Sequence, residues 1–218
     1  MAKDKGGVTF IYRSVILQIM IIDLTMPIDE RTPNFPGDQV LKIKRHNVKE
    51  DTYGKTFLEI QTHISTHIDA PSHMIEDGKT LSDFPINKFV GDAIVIDVRG
   101  QKNIEPNLSD VKEGDIVFFL TSHSDKAYES DYFENNPVIT EKTAQKLIKK
   151  RVSIIGLDSF TPDNEPYNVH KIFLKNDVLI VENLINLNKL SRKRFQCFIM
   201  PMKITKADGA PCRIIAIL

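Results

Sequence analysis

The sequence predicts an α/β protein: a mixed β-sheet or small barrel with flanking helices. Segments rich in β-branched residues recur along the 218 residues, few stretches are helical, and the two kinds do not alternate as regular βαβ units. No internal repeat is visible. One domain over residues 20–218 is therefore expected, preceded by an N-terminal extension over residues 1–19 that is expected to be poorly ordered.

Strands are predicted over residues 21–25, 40–44, 56–62, 93–98 and 116–121, then over 152–157, 178–181, 195–200 and 213–218. The clearest helix begins at Thr140, whose hydroxyl can cap the first turn, and places Ala144, Leu147 and Ile148 on one face. A shorter helix is predicted over 168–174. Residues 122–137 mix charges, aromatics and asparagines without a period and read as a long surface loop or lid.

The apolar run over residues 15–24 is broken by Gln18 and Asp23, far short of the roughly 20 residues a membrane helix needs, and is expected to be a buried strand. Basic side chains precede it as in a signal peptide, but no small-residue cleavage site follows. Met20, directly before the first strand, offers a natural start. Lys plus Arg and Asp plus Glu number 29 each, so no strong field draws in nucleic acid or an anionic membrane, and a small molecule is the expected partner. The two cysteines, Cys197 and Cys212, are too few for a disulfide framework and are not spaced as a zinc ribbon, which fits a reducing cytoplasm.

His63, His67 and His73 lie close together with Asp69 among them. Imidazole and carboxylate are the donors that suit Zn²⁺, Mn²⁺ or Fe²⁺. On a helix His63 and His67 would sit about 6 Å apart along the axis, but Ile64, Thr66 and Ile68 are β-branched and Pro71 forbids continuation. In a straight strand they would be roughly 13 Å apart, a strained reach for one ion. The backbone is therefore expected to turn near Ser65. Beyond that turn His67 and Asp69, two residues apart, point to the same side of an extended chain and can meet one metal. His73 follows Pro71 and is freer to act as an acid or base, for which a neutral imidazole near pH 7 is suited. No Gly-x-Ser-x-Gly elbow occurs, and neither cysteine adjoins a histidine in sequence.

This run, His63-x-Ser65-Thr66-His67-x-Asp69-x-Pro71-x-His73, resembles the His-x-Gly-Thr-His-x-Asp-x-Pro-x-His of the cyclase family of metal-dependent hydrolases, which includes bacterial kynurenine formamidases. Ser65 stands where the family usually has glycine, which bears on the turn because glycine tolerates positive φ more readily. Asp23-Leu24-Thr25, Phe35-Pro36-Gly37-Asp38, Gly156-Leu157-Asp158-Ser159, Val181-Glu182-Asn183-Leu184 and residues 208–213 resemble further family segments in order, though the family serine of the third is shifted or absent.

The resemblance implies a swivelling β/β/α-like fold and a pair of divalent ions, Zn²⁺ or alternatively Mn²⁺. His63, His67 and Asp69 would hold one; Asp69 would bridge to the second, completed by His170 and Glu182. His73 would be the proton carrier. It implies hydrolysis of an aryl formamide such as N-formylkynurenine by metal-activated water, with Phe35 and His123 as candidate substrate contacts, and a homodimer or homotetramer. Two alternatives stand beside this: ring-opening of an isatin-like lactam or the reverse cyclisation, and a non-catalytic metal-binding protein.

Overall fold

The computed structural model describes residues 19–49, 52–190 and 194–218; the extension expected over 1–19 lies outside them except for Ile19. Its strands are β1 (Ile21–Asp23), β2 (Lys42–His46), β3 (Lys55–Glu59), β4 (His67–Asp69), β5 (Val90–Asp97), β6 (Asn103–Ile104), β7 (Ile116–Leu120), β8 (Val138–Ile139), β9 (Ile154–Leu157), β10 (Leu179–Glu182), β11 (Arg194–Pro201) and β12 (Gly209–Ile217). The helices are α1 (Glu141–Lys149), between β8 and β9, and α2 (Asn168–Leu174), between β9 and β10.

The main sheet runs β1-β12-β11-β5-β7-β9-β10-β4, and a further pairing of β4 with β12 closes it into a barrel. Its β5-β7-β9-β10 segment is parallel; the pairs of β10 with β4, β4 with β12, β12 with β11 and β11 with β5 are antiparallel. The closing strand β4 is only three residues long. It lies between Leu179–Glu182 and the first residues of β12, so its side chains are fixed from both edges.

The β7 sequence Ile-Val-Phe-Phe-Leu is buried throughout because both faces are covered, as expected of a parallel strand. Ile116, Phe118 and Leu120 join a core inside the barrel with Ile68, Ile154, Val181 and Ile214. Val117 and Phe119 face outward, into a second core shared with Ala144, Leu147, Val169 and Phe173 of the helices. Gly156 sits where a Cβ would come within 2.8 Å of Phe118 Cδ1 and 3.0 Å of Val181 Cβ. Gly156→Ala is expected to cost about 1–3 kcal/mol by overpacking, read as a lower urea midpoint with unchanged slope.

Thr140 caps α1, its hydroxyl accepting from Thr143 N, and α2 spans the predicted residues. Residues 15–18 of the apolar run lie outside the described residues, and its later part forms the edge strand β1 rather than a buried one: Ile21 is 61 % exposed while Ile22 and Leu24 reach the core. Residues 122–137 hold one short 3₁₀ turn and no strand, yet Ala127 and Tyr132 are buried there against Met26 and Phe160. Among the described residues, strands β2 and β3 pair only with each other, and both are largely exposed. Among the described residues no helix is long and apolar enough to cross a membrane. Cys197 and Cys212 are free and buried.

Candidate metal centre and active site

The chain reverses at Ser65, which adopts φ 55°. Three hydrogen bonds hold a serine in this left-handed conformation: Ser65 Oγ donates to the Met26 carbonyl (2.8 Å), Met26 N donates to Thr66 Oγ1 (2.8 Å), and Thr66 Oγ1 donates to the Asn183 carbonyl (2.6 Å). The turn delivers His67 and Asp69 to the outer face of β4, while Ile68 between them enters the barrel core. Register then brings in the acid, since Glu182 of β10 lies directly opposite His67. His170, on α2, approaches from the helical layer.

His67 Nε2 is 3.3 Å from both Asp69 Oδ1 and Glu182 Oε2, and His63 Nδ1 is 2.8 Å from Asp69 Oδ1. His170 Nε2 is 3.3 Å from Glu182 Oε1. Donor atoms of His67, Asp69 and Glu182 cluster within 4.8 Å of one another, as do those of His63, Asp69 and His73. Asp69 is common to both groups.

Two imidazoles have their remote nitrogen engaged: His67 Nδ1 donates to the Ser65 carbonyl (2.8 Å), and His170 Nδ1 contacts Asp163 Oδ1 (2.5 Å). Such outer contacts fix ring orientation and leave the other nitrogen for a ligand. Asp69 Oδ2 and Glu182 Oε1 are buried with no aligned hydrogen-bond donor, a costly state unless a cation or proton meets them. The residues therefore fit a divalent metal centre in donor chemistry and in unmet electrostatic demand.

Charge balance gives the same reading. Burial alone would lower the His67 pKa, but the Asp69 and Glu182 carboxylates outweigh it and hold the group well above its usual value. Against the same burial, the hydrogen bond to Asp163 and the nearby Glu182 carboxylate raise His170 to about 10. Asp69 is held well below the carboxylate range by His63 and His67 despite its burial. Without a cation these acids keep protons on the imidazoles, and a bound metal would take the protons' place.

The centre forms the floor of a cavity of about 280 Å³. Its walls include Phe35, Tyr132, Phe133, Phe160, Tyr167 and Asn183. Phe35 meets Phe133 edge-to-face at 5.6 Å, and Tyr132 OH donates to Asn183 Oδ1 (2.5 Å).

His63, His67, Asp69, His73, His170, Glu182 and Phe35 thus meet in or around one cavity. His123 does not line it: its Nε2 donates to the Tyr132 carbonyl (2.7 Å) and its ring stacks on Tyr132, so it supports the wall from behind. The expected substrate contact at His123 is thus not among the residues that line the cavity. Sequence reasoning overlooked Asp163, whose carboxylate also accepts from Val169 N at the start of α2 (2.7 Å), and the aromatics Tyr132 and Phe133 of the 122–137 loop. Asp163 precedes His170 by only seven residues, but no spacing rule marks such a partner.

Comparison with known proteins now decides the family: the Cyclase family matches residues 22–164. The chain belongs to the cyclase family. It is 30 % identical over 207 residues to a kynurenine formamidase of Bacillus cytotoxicus, covering 89 % of this chain and 95 % of that one. A solved structure described as a potential metal-dependent hydrolase with cyclase activity matches with TM-score 0.78 and 27 % identity, covering 91 % of this chain and 98 % of that one. Isatin hydrolase A from Ralstonia solanacearum shares the fold with TM-score 0.82 at 22 % identity over 92 % of each chain.

Proposed function

We propose that this protein is a metal-dependent amidohydrolase that cleaves an aryl formamide, such as N-formylkynurenine, to the aryl amine and formate. The observation that carries this reading is the pair of donor groups joined by Asp69 on the floor of an aromatic-walled cavity. Likeness to kynurenine formamidases over nearly the whole chain supports the substrate class.

His63, His67 and Asp69, with His170 and Glu182, are the residues proposed to hold two divalent ions, Zn²⁺ or Mn²⁺. Bound there, a divalent cation supplies Lewis acidity, polarising the formyl carbonyl and bringing the pKa of water towards about 7. His73 lines the cavity beside His63, their ring centroids 3.9 Å apart, and burial lowers its pKa, so the imidazole is neutral and ready to accept a proton at pH 7. It takes the proton of the attacking water and returns it to the aryl nitrogen as the C–N bond breaks. Phe35, Phe133 and Phe160 pack the aryl ring and exclude water from it.

The test is metal analysis coupled to formate release. Protein stripped by chelator and reloaded with Zn²⁺ or Mn²⁺ is expected to release formate from N-formylkynurenine; ring opening of isatin without formate release would move the substrate to the lactam class. Activity on no member of an amide, lactam and lactone panel would leave only a non-catalytic metal protein. Phe35→Ala is expected to raise KM for the aryl formamide by about 2- to 10-fold, the equivalent of one lost aromatic contact, while leaving an aliphatic formamide unaffected.

A further inference from the structure

The imidazole of His63 has a partner at each end. Its Nδ1 faces Asp69, and its Nε2 lies 3.0 Å from Oδ2 of Asp208, a residue just before β12 that the sequence reading gave no role. We infer that Asp208 is a positioning residue of the metal centre: its carboxylate holds His63 by Nε2–H, so that Nδ1 stays turned to Asp69 as a ligand atom. This rests on the metal reading above.

Several features of the fold are arranged around that contact. Thr62 Oγ1 donates to Asp208 Oδ1 (3.0 Å), leaving Oδ2 for the ring, and Ala70 N donates to the Asp208 carbonyl (2.8 Å), tying its backbone to the end of β4. The following residue, Gly209, has no side chain where one would collide: a Cβ there would lie 2.6 Å from His63 Cε1 and 3.0 Å from the Ile68 carbonyl oxygen. One residue thus yields space to the ring and its neighbour grips it.

Asp208 also completes a pattern. His67 is oriented by the Ser65 carbonyl and His170 by Asp163, each through Nδ1, whereas His63 is held through the opposite nitrogen. His63 is then the ligand that offers Nδ1, and His67 and His170 offer Nε2. The same Asp208 Oδ2 lies 3.7 Å from His73 Nδ1, and the His63 and His73 ring centroids are 3.9 Å apart with the planes tilted by 33°, so one carboxylate contacts both a ligand and the proposed proton carrier.

Outer carboxylates of this kind are worth about 10- to 100-fold in metal affinity. In chelator competition with Zn²⁺, Asp208→Ala is expected to weaken one bound equivalent by that factor and leave the other unchanged. Asp208→Asn, which keeps an acceptor oxygen, is expected to fall between it and the unaltered protein. The Asp208 side chain is 44 % exposed, so Asp208→Ala is expected to fold, and a thermal melt of the metal-free protein checks this. Thr62→Val, which frees the carboxylate without removing it, is expected to show a smaller loss at the same equivalent. An unaltered protein that binds no divalent metal sinks the metal reading itself. One that binds two equivalents, with Asp208→Ala binding both as tightly, overturns the role given to Asp208 and leaves that reading intact.

Discussion

His73→Asn is expected to keep the protein's full complement of divalent metal while lowering kcat on an aryl formamide by about 10²- to 10⁴-fold, the usual worth of a positioned proton carrier. The structure makes this outcome informative because His73 stands close enough to be read in two ways. Its donor atom lies within 4.8 Å of those of His63 and Asp69, as a third ligand's would. Yet its ring lies against the His63 ring in the cavity wall and is less buried than His67 or His170. A ligand is defined by what leaves with it. If metal analysis shows an equivalent lost with the imidazole, His73 belongs to the coordination set and the proton carrier must be sought elsewhere. Asparagine keeps a polar side chain beside Asp208 and should not disturb the fold.

Legibility in the sequence followed the range of the interactions. Strands buried on both faces, such as Ile116–Leu120 and Ile154–Leu157, announce themselves as β-branched or apolar runs, and α1 carries its own capping threonine. The turn at Ser65 was legible in two steps, because the β-branched Ile64, Thr66 and Ile68 with Pro71 rule out a helix and a straight strand leaves His63 and His67 too far apart for one ion. Barrel closure was only one of two options, since it depends on three-residue β4 pairing with β10 and β12, both more than a hundred positions away. The same pairing places Glu182 opposite His67, so the acid could be chosen by resemblance but not by spacing. Asp163 and Asp208 were illegible for a further reason. Their work is to orient imidazoles, and a carboxylate that does this has no sequence signature of its own.

The largest effect is expected at Asp69, because both donor groups run through it. Asp69 is 1 % exposed, its Oδ1 reaches His63 and His67, and its Oδ2 has no hydrogen-bond partner. Asp69→Ala removes the one residue that joins the two groups and leaves His63, His67 and Glu182 without a shared anion. The variant is expected to retain less than one equivalent of metal and to lose more activity than His73→Asn. Stability provides an independent readout. Metal that binds only the folded chain raises its stability by mass action, about 2.7 kcal/mol at a hundredfold excess over Kd. The unaltered protein's Tm should therefore climb with Zn²⁺ and fall back with chelator, whereas the Asp69→Ala curve should stay flat across the same titration. A parallel climb in the variant would mean that His67, His170 and Glu182 hold a cation without Asp69, making the two halves of the centre independent sites and not one bridged pair.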